Sequence, residues 1–191
     1  ALFCVLIGCA KNSLLEKNAD EIDEYGKAKY ITEMINVVDQ GLVKCSELES
    51  TALEERVEIL ETIYPYGKKA VQVVGIEGAR PHIRFIYCAS SLALHYDLLS
   101  QQKEAQAERA GGDAGLQEEA KDYKRKAYDA ANVAIQLILQ YQKLFYDMHP
   151  HPPLYDLLEQ NYELIGDYEN AYYVTRRWLD KLEVDVQAGN A

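Results

Sequence analysis

The sequence predicts an all-α protein. Apolar residues recur at three- and four-residue intervals along nearly every segment, the period of a helix with one buried face. Only 11 Gly and 5 Pro stand among 191 residues, too few for a β-sandwich or barrel that must turn about every ten residues. With 48% hydrophobic and 27% charged residues the chain can bury a sizeable core, so disorder is excluded. The length fits one domain or one continuous array over 1–191.

The elements follow in order. Residues 2–16 read as a deeply buried first helix, with Leu2, Leu6, Cys9 and Ser13 on one face and Val5 and Leu14 beside it. Residues 19–48 make a longer one, striped by Ile22, Tyr25, Ile31, Ile35 and Val38. Ser50-Thr51 opens the next, because Glu54 stands three residues after Thr51 as in a capping box. That helix carries Leu53, Val57 and Leu60 and is expected to end before Pro65. Residues 65–81 read as an irregular segment. VQVV has strand composition, but Gly75, Gly78 and Pro81 favour a loop or a short, broken helix. A helix over about 82–105 aligns Phe85, Cys88, Leu92, Tyr96 and Leu99. AGGDAG centres a flexible loop at about 108–116, and a long helix over 116–148 is stopped by Pro150, Pro152 and Pro153.

The last stretch, HPPLYDLLEQNYELIGDYENAYYVTRRWLDKLE (151–183), holds two amphipathic helices with only Ile165-Gly166-Asp167 between them. Each is too short to be stable alone, and so short a connection forces antiparallel packing against neighbours that complete the core. Residues 152–185 resemble a tetratricopeptide repeat. Tyr155, Leu158 and Tyr162 match the large positions of its first helix, Gly166-Asp167-Tyr168 its turn, and Ala171 its close helix crossing. Glu159 and Trp178 stand where the repeat has small residues, and Trp178 is read as covering the end of the stack. That role predicts a loss of roughly 3–5 kcal/mol on truncation to Ala. A weaker echo over 24–38 aligns Tyr25, Ala28, Tyr30, Ile31 and Thr32 with Tyr168, Ala171, Tyr173, Val174 and Thr175. A third, over 128–138, keeps Tyr128 and Ala131. The resemblance implies stacked helical hairpins, in a right-handed superhelix or an irregular bundle, that bind a peptide or partner helix.

Charge and cysteines narrow the partners. The formal charge is −11, which repels phosphate backbones, and the densest basic run, Lys124-Arg125-Lys126, follows Glu118, Glu119 and Asp122; nucleic acid is therefore not an expected partner. Cys4, Cys9, Cys45 and Cys88 show no CxxC pair and read as reduced, buried thiols of a cytoplasmic protein. ALFCVLIGCA is too short to span a bilayer and lacks a basic flank. The missing initiator Met points to a piece of a longer chain.

Chemistry is sparse. His149-Pro-His151 is the one histidine cluster, without the further ligands of a metal site, and reads as loop histidines beside a helix stop. Ser90-Ser91 with His95 lacks an orienting carboxylate. AGGDAG lacks the Lys-Ser/Thr of a phosphate loop. No catalytic residue, cofactor or metal is expected. Fifteen Tyr against three Phe is unusual; part of them suit helix crossings and the rest are expected to line a groove.

Two function classes remain. One is a non-catalytic interaction scaffold. The other is a helical accessory domain of a larger enzyme, the helical-repeat tails of SET-type lysine methyltransferases being one example. By the repeat resemblance the first helix of each hairpin lines the groove. Asp156, Gln160 and Glu163 then face it, since Tyr155, Leu158 and Tyr162 occupy the seam. Two of these three are acidic, which predicts a basic or amphipathic protein ligand.

Overall fold

The three- and four-residue apolar spacing is realised as helix throughout. A computed structural model describes residues 14–17, 24–75, 78–145 and 151–187, with side chains over 14–17 and 26–180 of those. Its helices are α1 (Glu24–Glu47), α2 (Leu53–Val74), α3 (Ala79–Arg109), α4 (Ala114–Phe145), α5 (Pro153–Leu164) and α6 (Tyr168–Gln187). The class is all-α, with no strand among the described residues. Most of the expected helix over 2–16 lies outside them; Leu14, at its end, is helical, buried and hydrogen-bonded through its carbonyl to the Tyr30 hydroxyl. Ile22 and the Tyr25 side chain also lie outside. Among the described residues no helix is long and apolar enough to cross a membrane.

Three expected boundaries are corrected. The capping box at Thr51 does not form: Ala52 is the N-cap and no side chain caps α2. Glu54 instead reaches Lys103 of α3 at 3.3 Å, an ion pair that takes the carboxylate away from its own helix end. Pro65 does not end α2, which runs through it to Val74. An internal proline costs about 3 kcal/mol, but Ile63, Tyr66 and Ala70 are buried on both sides of it. Burying side chains as large as Ile and Tyr is worth about 1.5–3 kcal/mol each, enough to offset the break. Helix therefore replaces most of the expected irregular segment, α2 running to Val74 and α3 starting at Ala79. The flexible loop shrinks as well, to Ala110–Asp113. There the Gly112 N–H donates to the Ala107 carbonyl and Gly111 to that of Glu108, a Schellman closure of α3. The Asp113 carboxylate accepts from Gly115 and Leu116 and starts α4.

The centre of the molecule is the antiparallel pair α3–α4. On α4, Ala120, Ala127, Ala131, Ala134, Ile138, Tyr141 and Phe145 are buried, a spacing of seven and then alternating four and three. On α3 the matching row is Phe85, Ala89, Leu92, Tyr96 and Leu99. Two such rows pack as a coiled-coil-like seam, and the alanines let the backbones come close. At position 124 the α4 row carries a lysine, which pairs with Asp97 of α3 at 2.5 Å. At the far end the Ser100 hydroxyl donates to the Ala120 carbonyl at 2.9 Å. Gly41 of α1 faces Ile63 of α2 so closely that any Cβ there would collide with the isoleucine.

The short α5–α6 connection is explained by its own hydrogen bonds. The Gly166 N–H donates to the Glu163 carbonyl and Asp167 to that of Tyr162, both at 2.9 Å. Gly166 has φ +79°, the left-handed conformation this closure needs and a side chain resists. Asp167 then caps α6 by accepting from the Asn170 N–H at 3.2 Å. One residue stops a helix and the next starts another. Leu158 and Ala171 are buried in this hairpin, and Tyr155 and Tyr162 are half-buried.

Each helix packs on the next, and α1 and α5 both also touch α3, so α1, α3 and α5 stand side by side. The echo of 168–178 in 25–35 does not extend to environment. Tyr30 and Ala171 are buried, whereas their counterparts Tyr173 and Ala28 are exposed. α1 thus stands in the row of α5, not of α6.

Candidate interaction face

The side of α1, α3 and α5 turned away from the core carries the unusual surface chemistry. On α3, Arg80, Arg84, Tyr87, Ser91 and Leu94 follow at intervals of four and three, opposite the core stripe. Leu94 is 47% exposed although it lies at mid-helix. On α1 the corresponding row is Ala28, Thr32, Asp39 and Val43, the last 57% exposed.

Ionic contacts tie the helices across this face. Asp39 takes Arg84 Nε at 2.6 Å and an Arg80 guanidinium nitrogen at 3.2 Å, two cations on one carboxylate. On the other flank, the Tyr87 hydroxyl lies 2.9 Å from His151 Nε2, the rings meeting edge to face. Burial raises the Tyr87 pKa, Arg84 lowers it and Asp156 raises it, so all three groups are within electrostatic reach. His151 is held below the usual histidine range by burial and by the Arg84 charge, so it is neutral at pH 7. Two clefts open here. One, of about 550 Å³, is lined by Ala79, Arg80, Ile83, Arg84 and His151 among others. The second, of about 290 Å³, lies between α1 and α3 over Ile31, Ile35, Val74 and Pro81, and shares Arg80 with the first.

The three predicted site residues lie on the outer side of α5. Gln160 and Glu163 are exposed, and Asp156 is half-buried within electrostatic reach of Tyr87. Arg80, Arg84 and Asp39 were not foreseen. Starting α3 at 82 instead of Ala79 left Arg80 in a loop, although the row 80, 84, 87, 91, 94 is legible once the helix begins three residues earlier. The surface tyrosines are placed differently from expectation. Tyr128, Tyr168, Tyr172 and Tyr173 are exposed on α4 and α6, and Tyr87 is the tyrosine in the outer row of α3.

The serine and histidine that the sequence sets close together have structural partners. The Ser90 hydroxyl accepts from Asn161 Nδ2 at 3.0 Å, and His95 Nδ1 lies 2.7 Å from the Ser91 carbonyl, not its hydroxyl. His149 lies outside the described residues. Among those described, no group of three or more His, Cys, Asp or Glu is placed to hold a metal. Cys45 and Cys88 are free and buried, and burial raises both thiol pKa values. Compared with protein-family models, curated proteins and solved structures, the chain finds no match.

Proposed function

We propose that the protein is a non-catalytic interaction scaffold, similar in construction to a tetratricopeptide array, that receives a peptide or partner helix along α1, α3 and α5. One observation carries the reading: three helices side by side expose Leu94 and Val43 and open two adjoining clefts on the side away from the core. Apolar side chains rimmed by charge are the composition of a recognition surface. The row Asp156, Gln160 and Glu163 borders this surface and favours a segment that is basic on that edge.

A photo-crosslinking amino acid at Gln160 or Leu94, with Leu139 on α4 as a control position, tests the proposal in native extract. The adducted protein is identified, produced and titrated against the chain. Adducts from Gln160 and Leu94 that are absent from Leu139, followed by saturable binding, are the expected result. Adducts from Leu139 alone, or none, would reject it.

A further inference from the structure

We infer that the junction of the two clefts at Arg80 is a subsite for a partner carboxylate flanked by aliphatic side chains. The inference rests on the reading of α1, α3 and α5 as a binding face and names part of the ligand's chemistry.

Three observations point there. Among the described residues lining either cleft, the ionisable ones are Arg80, Arg84 and His151; no carboxylate is among them, in a chain of formal charge −11. Arg80 and Pro81 line both clefts, and Arg80, its side chain 67% exposed, brings the charge to their junction. Its guanidinium already shares Asp39 with Arg84, so the pair keeps one positive charge beyond what Asp39 neutralises. Asp39 acts as a positioning residue: it stands on α1 outside both clefts and holds two flexible arginines towards them. Holding them in place lowers the side-chain entropy lost on binding.

The walls decide what accompanies the carboxylate. The smaller cleft is floored by Ile31, Ile35, Val74 and Pro81, with Arg80 as the one charged residue among its described lining. An aliphatic side chain fits there, and the carboxylate beside it meets the guanidinium, whose planar fork suits bidentate pairing. An acidic ligand is repelled by most of this protein's surface, so the subsite selects against acidic segments that lack the apolar anchor. Together with the acidic edge of α5, it describes a segment with basic residues at one end and an acid-aliphatic pair at the other.

The test uses the full chain and a randomised twelve-residue peptide library displayed on phage. Recovered peptides are synthesised, and their affinities are read by fluorescence anisotropy. Peptides enriched in Asp or Glu next to Leu, Ile or Val are expected. Arg80→Glu should weaken them at least tenfold, Arg80→Lys should weaken them less, and Ala28→Arg, which fills the smaller cleft, should weaken them as Arg80→Glu does. Both positions are exposed, so circular dichroism and melting temperature should stay unchanged. Peptides without acids, or with equal affinity for Arg80→Glu, would overturn the inference. If such peptides are lost on Glu163→Lys, the face still binds partners and only the subsite falls. Recovery of no peptide would count against both.

Discussion

Arg56 of α2 places a guanidinium nitrogen 3.3 Å from Nε2 of His95 on α3, and this contact fixes the imidazole as neutral. Arginine can only donate, so Nε2 accepts, and the proton sits on Nδ1, which donates to the Ser91 carbonyl at 2.7 Å. The same guanidinium donates to the Leu48 carbonyl at 2.5 Å, joining the end of α1 to α2 and α3. Burial lowers the His95 pKa first, and the Arg56 charge adds to it against the Ser91 hydrogen bond.

Acid should therefore loosen this junction. A histidine whose folded pKa is depressed binds its proton more readily when unfolded. Its contribution is complete above the ordinary value of about 6.5 and is lost as pH falls below it. The melting temperature should be flat from pH 8 to 7 and decline towards pH 5. His151 contributes with the same sign, so His95→Gln should reduce the slope without abolishing it. Identical slopes for the variant and the parent would show that His95 does not titrate in this window.

Trp178 stacks on Tyr155 within its own hairpin, ring centroids 6.3 Å apart and planes 5° from parallel. It is half-buried, so the expected loss on Trp178→Ala is revised down to about 1–3 kcal/mol, between an aromatic pair and a fully buried ring. A double-mutant cycle with Tyr155→Ala should give a coupling of about 0.5–1.5 kcal/mol. Additive losses in urea denaturation would mean the two rings do not support each other.

Pro65 is exposed inside α2. Pro65→Ala restores the missing N–H and removes the ring clash, which should stabilise by about 1–3 kcal/mol, less the entropy returned to the unfolded chain. Thermal melting reads it directly. A fall in melting temperature would show that the helix needs its proline.

The acidic edge of α5 should steer a basic partner. Glu163→Lys together with Asp156→Asn should slow association several-fold and flatten its salt dependence, as loss of two favourable charges does. Neutralisation suits Asp156 better than reversal, because it is half-buried and a lysine there would have to bury part of its charge. Stopped-flow rates across ionic strength with the crosslinked partner decide it, and an unchanged rate would remove α5 from the binding face.

Periodicity by itself determined the all-α class, the buried stripe of Phe85, Cys88, Leu92, Tyr96 and Leu99 on α3, and the α5–α6 hairpin. Local chemistry suffices for the hairpin: Gly166 and Asp167 stop one helix and start the next with bonds to residues five or fewer positions away. The tertiary structure decided what depends on distant partners. Pro65 stays helical because Ile63, Tyr66 and Ala70 find a core, and Thr51 lost its capping partner because Lys103, far along the chain, takes Glu54. The face proposed to bind a partner divides in the same way. Asp156, Gln160 and Glu163 follow from the seam of their own helix. Arg80, Arg84 and Asp39 converge only when α1 packs beside α3, across about forty residues of sequence that carry no local signal of the meeting.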